Sequence, residues 1–383
     1  MTAFRIPFFK PSIAEDDIAA VAETLRSGWL TSGPNVKALE EELAAYCGAK
    51  HVNAVNSCTA AMHLALRAWG IGPGDEVITT PYTFSATATV IVHIGATPVL
   101  ADVCDGDANI DPEQIERAIT PRTKAIIPVH FAGEPCDMDA IMEIAKRRGL
   151  KVLEDAAHAV GSAYRGRAIG SIGDATAFSF YATKNMTTGE GGALATDDSE
   201  LSDRVRVLTL HGMTKDAWNR YDVGGSWRYD VGEFGFKDNL TDLAAALGRR
   251  QLQKLDLFTE RRTRVAQRYF AHLRNEEHLQ LPAFSEENRH AWHLFMVRVK
   301  PSSPVGRDDV IRKLAERGIQ TSVHFIPIHY HSAYKRLGYW KQGDFPVAEG
   351  IFEGAISLPM YPDMTDAEVD EVCGALLEIV GGE

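Results

Sequence analysis

Short runs of apolar and β-branched residues alternate with helical patterns along the first half of the chain. We interpret as buried strands the runs at positions 52–55, 76–79, 97–101, 124–129 and 151–154. The segments between these runs predict helices, two of which end at Gly70 and Gly149. Strand, helix and strand in this order predict right-handed crossovers and a mostly parallel sheet with helices on both faces.

The pattern changes near Gly248, where a long polar helix is predicted from about 249 to 274. Beyond it the pattern predicts a strand at 291–299 and a helix at 307–317. A chain of 383 residues is long enough for two domains of roughly 100–200 residues or more. We therefore predict a large α/β domain at 1–248 and a smaller C-terminal α/β domain at 249–383.

Composition narrows the class of protein. The chain has 40 Lys and Arg against 52 Asp and Glu, and its net charge of -12 disfavours binding to nucleic acid or to an anionic membrane. Its five cysteines are widely spaced without a C-x-x-C pair, which indicates a reducing compartment and no structural zinc. The N-terminus shows no signal-peptide pattern, and the apolar runs are too short to cross a bilayer. These features predict a cytoplasmic protein with no metal, nucleic-acid or membrane partner.

Lys184 is the most informative residue. It follows the small and aromatic run at 175–180, which is typical of an interior strand, and a glycine cluster at 189–192 comes soon after it. Burial there would lower the pKa of its amine and make it a nucleophile toward carbonyls. Asp155 ends another apolar run, at the sheet edge where ligands of parallel sheets bind.

A lysine and a sheet-end carboxylate are what pyridoxal 5'-phosphate (PLP) requires. This cofactor withdraws electrons while its pyridine nitrogen is protonated, and a fixed carboxylate keeps the proton there. Taken alone, Asp155 is equally consistent with a helix cap. Paired with Lys184, it favours the cofactor interpretation.

The turn at 56–59 is the candidate phosphate site. It leads from a predicted strand into a helix, so the backbone amides of Cys58 and Thr59 would face a ligand at the positive end of the helix. Ser179, on the strand before Lys184, could add a hydroxyl. The alternatives are simple capping by Ser57 or Thr59 and an ordinary strand serine.

The segments at 154–158, 179–184, 189–192 and 235–242 carry a resemblance to a known family. On them the chain resembles, over nearly its whole length, the PLP-dependent nucleotide-sugar aminotransferases of the DegT/DnrJ/StrS type, which have the fold-type-I architecture. The resemblance is closest to the branch that includes the UDP-4-amino-4-deoxy-L-arabinose aminotransferase, through segments 72–79, 120–130 and 290–295.

The resemblance also implies roles for single residues. Lys184 would bind the cofactor as a Schiff base, Asp155 would face its pyridine nitrogen, and His158 would lie beside its phenolic oxygen. Phe84 would stack on the ring, although a phenylalanine at the start of an apolar helix is also typical of a core. Lys237 would reach the cofactor phosphate of a neighbouring subunit.

Candidate substrate contacts follow from the same resemblance and from side-chain chemistry. His324 and His329 resemble a segment that lines the sugar site, and a structural role is an equal alternative for His324. Trp227 and Arg228 suit nucleotide stacking and diphosphate pairing, or packing at a subunit boundary. Cys58 departs from the family pattern, which usually has glycine at that position.

The implied activity is transfer of the amino group of L-glutamate to the C4 ketone of a dTDP- or UDP-linked 4-keto-6-deoxyhexose or 4-keto pentose. The implied assembly is a homodimer with shared active sites. A 3-keto sugar nucleotide or a keto-cyclitol is an alternative substrate. A PLP-dependent sugar dehydratase is a further alternative, but that family has histidine where this chain has Lys184.

Overall fold

The computed structural model describes residues 4–213 and 229–382. Its strands are β1 (His51–Val55), β2 (Glu76–Thr79), β3 (Thr97–Leu100), β4 (Thr123–Ile126), β5 (Lys151–Ala156), β6 (Ala163–Tyr164), β7 (Arg167–Ala168), β8 (Ala175–Ser179), β9 (Gly192–Thr196), β10 (Leu279–Gln280), β11 (Phe295–Val299) and β12 (Ala355–Leu358). Its α-helices are α1 (Glu15–Ser27), α2 (Pro34–Cys47), α3 (Cys58–Ala68), α4 (Ser85–His93), α5 (Pro112–Ala118), α6 (Met138–Arg148), α7 (Ser199–Thr209), α8 (Asp242–Leu273), α9 (Arg307–Glu316), α10 (Ser332–Lys335), α11 (Pro346–Gly354) and α12 (Asp366–Val380).

A seven-stranded sheet forms the centre of the fold, in the order β1-β9-β8-β5-β4-β2-β3. The strands from β8 to β3 run parallel, whereas β9 is antiparallel to both β8 and β1. The prediction of a mostly parallel α/β sheet is therefore confirmed. Because β5 and β8 are neighbours, their carboxyl ends carry Asp155 and Ser179 to the same edge of the sheet.

Helices cover both faces of this sheet. Adjacent residues of β5 show the division, since Val152 packs in a core with Leu43 of α2, and Leu153 packs in a second core with Leu64 of α3. A strand that is buried on both faces reads as a continuous apolar run rather than an alternating one. This explains why the strand predictions from apolar runs place these elements well.

The C-terminal part contains a three-stranded antiparallel sheet in the order β10-β11-β12, which packs with α9 and α12. Helix α8 joins both parts, because Leu255 lies in the core below the large sheet and Tyr269 lies in the C-terminal core. This helix begins at Asp242 rather than near 249, so residue 248, the predicted boundary, lies inside it.

The predicted strand at 291–299 is wrong in its first part, since β11 begins only at Phe295. The residues before it form an irregular segment in which Trp292 has a φ of 46°. There the backbone N–H of His293 donates to the carbonyl of Ala132 at 2.8 Å. This contact ties the segment to the 3₁₀ turn at Phe131–Gly133, which follows β4, instead of extending the small sheet.

Candidate active site

A cavity of about 630 Å³ opens at the carboxyl ends of β5 and β8. It brings together most of the residues that the sequence singled out, namely Cys58, Thr59, Phe84, Asp155, His158, Ser179, Lys184 and His324. A second groove of about 590 Å³ lies beside the edge strand β1 and is lined by none of these residues. The chemistry that the sequence predicts is therefore concentrated in the first cavity.

Lys184 lies in a turn that follows the last residue of β8. Its backbone N–H donates to the carbonyl of Tyr181 at 2.9 Å, and the preceding Phe180 is fully buried and anchors the turn. Burial of the amine lowers the pKa of Lys184 from 10.5 to about 8, while the nearby Cys58 and Asp155 oppose this shift by charge. At pH 7, about a tenth of the amine is therefore unprotonated and can attack a carbonyl, far more than for an ordinary lysine.

Asp155 presents its carboxylate from the end of β5, and both of its oxygens accept hydrogen bonds. The Thr87 hydroxyl donates to Oδ2 at 2.8 Å, and the Ala157 backbone N–H donates to Oδ1 at 3.1 Å. Burial raises the pKa of Asp155, and these two donors act in the opposite direction. Thr87 also lines the cavity and was not among the residues singled out from the sequence.

The hydrogen bonds around His158 assign its tautomer. Nδ1 accepts from the Ala132 backbone N–H at 3.3 Å, so Nε2 carries the hydrogen of the neutral ring. Burial lowers the pKa of His158 well below its ordinary value, so the ring is neutral near pH 7. It can therefore donate one hydrogen bond from Nε2.

His293 is a second histidine in the cavity that sequence reasoning missed as a site residue. Its ring centroid lies 4.3 Å from that of His158. The Asn185 side-chain amide donates to the carbonyl of Ala291 at 2.7 Å, so its Oδ1 accepts from His293 Nδ1 at 3.0 Å. The sequence signals this histidine only indirectly, because its partner Asn185 directly follows Lys184.

The N-terminus of α3 forms a polar part of the cavity wall, because it presents backbone amides. Ser57 caps this helix by accepting the N–H of Ala60 at 3.1 Å. The first amides of the helix, those of Cys58 and Thr59, have no carbonyl within the helix to bind. The Cys58 thiol lies 3.4 Å from the carbonyl of Ala177, so its side chain packs against β8.

Gly192 makes this arrangement possible. A Cβ added at Gly192 would lie 2.5 Å from the Cys58 nitrogen and 2.7 Å from the Phe178 carbonyl oxygen, closer than real Cβ contacts. Only glycine therefore lets β9 approach the start of α3 so closely. The Ser179 hydroxyl, which accepts the Tyr181 N–H at 3.4 Å, lines the same cavity.

Aromatic side chains surround the mouth of the cavity. Phe84 is 63% exposed, and its ring lies 6.2 Å from Phe325, which stacks on His158 at 5.8 Å. His324 stacks on Phe8, and its Nδ1 lies 2.9 Å from the Ser357 hydroxyl. Burial lowers the pKa of His324 to about 4, so this ring is also neutral near pH 7.

Two of the residues singled out from the sequence, His329 and Lys237, do not line the cavity. His329 is buried in a short 3₁₀ turn at Ile328–Tyr330, where its Nε2 lies 2.9 Å from Glu349 Oε1 of α11. Lys237 is exposed, and its ammonium group donates to Asn239 of the same chain. Trp227 and Arg228 lie outside the described residues. The structure thus brings His324, rather than His329, to the site.

Two structural features are absent from positions 4–213 and 229–382. No helix in these ranges combines the length and apolar character needed to cross a membrane. No group of three or more His, Cys, Asp or Glu residues in them is arranged to hold a metal ion.

Comparisons with known proteins give a consistent picture. The sequence model of the DegT/DnrJ/EryC1/StrS aminotransferase family matches residues 11–377. The spore coat polysaccharide biosynthesis protein SpsC of Bacillus subtilis is 54% identical over 379 residues, which cover 98% of this chain and 97% of SpsC.

Solved structures agree with the sequence relatives. The PMP form of the putative sugar aminotransferase Spr1654 from Streptococcus pneumoniae superposes with a TM-score of 0.93 at 38% identity, covering 98% of this chain and 99% of that one. Helicobacter pylori PseC, an aminotransferase involved in the biosynthesis of pseudoaminic acid, has a TM-score of 0.92 at 30% identity, covering 99% of this chain and 100% of that one.

Proposed function

The chain belongs to the DegT/DnrJ/EryC1/StrS aminotransferase family, whose members are PLP-dependent sugar aminotransferases, and we propose that it transfers the amino group of L-glutamate to the C4 ketone of a nucleotide-linked keto sugar. The expected substrate is a dTDP- or UDP-linked 4-keto-6-deoxyhexose or 4-keto pentose, and the product is a 4-amino sugar nucleotide. The observation that carries the proposal is the buried amine of Lys184, whose pKa is about 8, in the cavity that also contains Asp155.

The residues of the cavity fit the cofactor. The amine of Lys184 suits its aldehyde, the carboxylate of Asp155 suits a protonated pyridine nitrogen, and the amides of Cys58 and Thr59 suit a phosphate. The close approach that Gly192 permits keeps those amides at the cavity wall. His158, with its hydrogen on Nε2, suits the phenolic oxygen as a donor, and Phe84 at the mouth suits the ring face.

Lys184 also moves the proton of the reaction. When bound, PLP supplies the electron sink that acidifies the Cα–H bond of the amino donor, and it carries the amino group from donor to ketone. Lys184 Nζ takes the proton from that α-carbon, and in the return half it delivers a proton to the former ketone carbon of the sugar. A positioned base of this kind contributes about 10²- to 10⁴-fold to the rate, because its pKa lies near the operating pH.

The relatives support a sugar-linked product. SpsC is named for spore coat polysaccharide biosynthesis, and PseC is described as acting in the biosynthesis of pseudoaminic acid. We infer that this chain likewise supplies an amino sugar to a larger glycan.

The branch that includes the UDP-4-amino-4-deoxy-L-arabinose aminotransferase remains a prediction from the sequence. Phe8 and Phe325 at the aromatic mouth would face the sugar ring.

A homodimer with shared active sites is part of the proposal. Lys237 is exposed and lies outside the cavity of its own chain, which is the placement that a ligand to a neighbouring subunit's cofactor phosphate requires. Sedimentation of the PLP-loaded protein should give a dimer. Lys237→Ala should weaken PLP binding, and an unchanged affinity in a dimeric variant would remove this role from Lys237.

A single-turnover experiment tests the donor half of the proposal. The PLP-loaded protein is mixed with L-glutamate in the absence of any ketone, and 2-oxoglutarate is quantified. We expect one equivalent per active site from the wild-type protein and none from Lys184→Ala. L-Aspartate and L-glutamine are offered in parallel, and a faster reaction with either of them would contradict the assignment of glutamate as donor.

A further inference from the structure

Thr87 is the residue of the cavity that has the closest contact with Asp155. It lies in the first turn of α4, three residues after Phe84, and it is fully buried. Its hydroxyl lies 2.8 Å from Asp155 Oδ2, which is the usual length of an O–H···O hydrogen bond. No other side-chain hydroxyl among the described residues lies within hydrogen-bond distance of this carboxylate.

The Asp155 carboxylate sets the direction of its hydrogen bond with Thr87 and of the bond between Thr87 and a second buried threonine, because carboxylate oxygens only accept. Thr83 Oγ1 lies 2.9 Å from Thr87 Oγ1, and a hydroxyl has a single hydrogen to donate. Because the hydrogen of Thr87 goes to Asp155 Oδ2, Thr87 Oγ1 accepts from Thr83. The two hydroxyls then form a chain that ends on Oδ2, in which each hydrogen bond polarises the next.

Asp155 needs such a donor because its surroundings pull in both directions. Burial disfavours its charged form. The donors to Oδ1 are the Ala157 amide at 3.1 Å and the weaker Cys58 thiol at 3.9 Å. The charge that faces the carboxylate is that of Lys184 on the turn after β8, and it favours the ionised form. The amine of Lys184 becomes part of the link to the cofactor, so its charge cannot serve Asp155 throughout.

We propose that Thr87 is a positioning residue that holds Asp155 ionised and oriented toward the pyridine nitrogen of the cofactor, with Thr83 orienting the Thr87 hydroxyl. This inference rests on the proposed role of Asp155. It assigns to α4 two functions at the same ligand, since Phe84 faces the cavity from the start of the helix and Thr87 acts through Asp155 one turn later.

The test compares two ligands that differ only at the pyridine nitrogen. Pyridoxamine 5'-phosphate (PMP) is used because it binds without a covalent link to Lys184, and its analogue with carbon in place of the ring nitrogen is used beside it. Affinities of the cofactor-free protein are measured by calorimetry. Thr87→Val keeps the shape of the side chain and removes the hydroxyl, and Thr87→Ser returns the hydroxyl.

Thr87→Val should weaken PMP binding about 10- to 100-fold, as expected for loss of a hydrogen bond to a charged group. It should change binding of the carbon analogue by less than about two-fold, since that ligand offers Asp155 no ring nitrogen. Thr87→Ser should restore most of the PMP affinity. Thr259→Val is the matched control, because the buried Thr259 hydroxyl donates to the Leu255 carbonyl of its own helix and does not line the cavity, so both affinities should stay unchanged.

An equal loss for both ligands in Thr87→Val would overturn the inference, because it would show a structural role alone. Asp155→Asn separates this failure from failure of the proposed function. If Asp155→Asn does not distinguish the ligands either, the role of Asp155 is wrong; if it does and Thr87→Val does not, only the role of Thr87 is wrong. Should Thr87→Val fail to fold, Thr83→Val should show the same selectivity at about two- to five-fold, and no selectivity there would equally contradict the inference.

Discussion

Replacing Lys184 by methionine should stabilise the cofactor-free protein near pH 7, although it removes the reactive amine. Folding buries the ammonium group and lowers its pKa from 10.5 to about 8, which at about 1.4 kcal/mol for each pKa unit corresponds to about 3 kcal/mol. Methionine has a similar length and no charge, so Lys184→Met should release this penalty.

The pH dependence of the effect follows from the sign of the shift. The folded-state pKa of Lys184 lies below the unfolded value, so the unfolded chain binds the extra proton between pH 8 and pH 10.5. The penalty is therefore complete below about pH 8 and fades as the pH rises. The advantage of Lys184→Met should be about 3 kcal/mol at pH 7 and should fall to about 1 kcal/mol at pH 10.

Urea unfolding of the cofactor-free proteins at pH 7 and pH 10, at one protein concentration, measures this difference. Lys37→Met is the control, because the Lys37 side chain is 73% exposed and its replacement should change the stability by less than about 0.5 kcal/mol. The reasoning fails if Lys184→Met is no more stable than the wild-type protein at pH 7. It also fails if the advantage is the same at both pH values.

Three further predictions concern the cavity. Gly192→Ala should weaken PLP binding at least about ten-fold, because its Cβ would meet the Cys58 nitrogen. Gly374 has open space around it, so Gly374→Ala should bind PLP normally, and equal effects in the two variants would contradict the close-approach argument. Phe84→Ala should weaken PLP binding about three- to ten-fold while the melting temperature shifts by less than about 2 °C, since the ring is 63% exposed; a large loss of stability with normal affinity would show that Phe84 is a core residue. His324→Gln should leave the shape of the pH–rate profile between pH 5.5 and 9 unchanged, because the pKa of His324 is about 4; loss of an inflection near pH 6.5 would show that His324 titrates in the working range.

Much of the architecture could be predicted because it depends on local patterns. Strands that are buried on both faces leave uninterrupted apolar runs, and the prediction at 76–79 coincides with β2. Helix α8 was predicted too short, because its first turn starts at Asp242, whose carboxylate accepts the Val36 N–H at 2.9 Å from a distant part of the chain. Such a contact has no local signature.

The site shows the same division between local and distant signals. Lys184, Asp155 and the start of α3 are recognisable because each has an unusual local context at a strand end. Thr87 is an ordinary helical threonine until the fold places it against β5. His293 reaches the cavity through an irregular segment whose apolar pattern predicts a strand. The sequence does not show which histidine near the C-terminal sheet lines the cavity, because the neighbours of each come from elsewhere in the chain.

The most direct test of the account is amination of a panel of nucleotide-linked keto sugars. The PLP-loaded protein is incubated with ¹⁵N-labelled L-glutamate and dTDP- and UDP-linked 4-keto and 3-keto sugars, and the position of the new C–¹⁵N bond is read by NMR and mass spectrometry. The account predicts ¹⁵N at C4 of a 4-keto sugar and no product with Lys184→Ala. Amination only at C3, amination only of a keto-cyclitol added to the panel, or turnover by Lys184→Ala would contradict it.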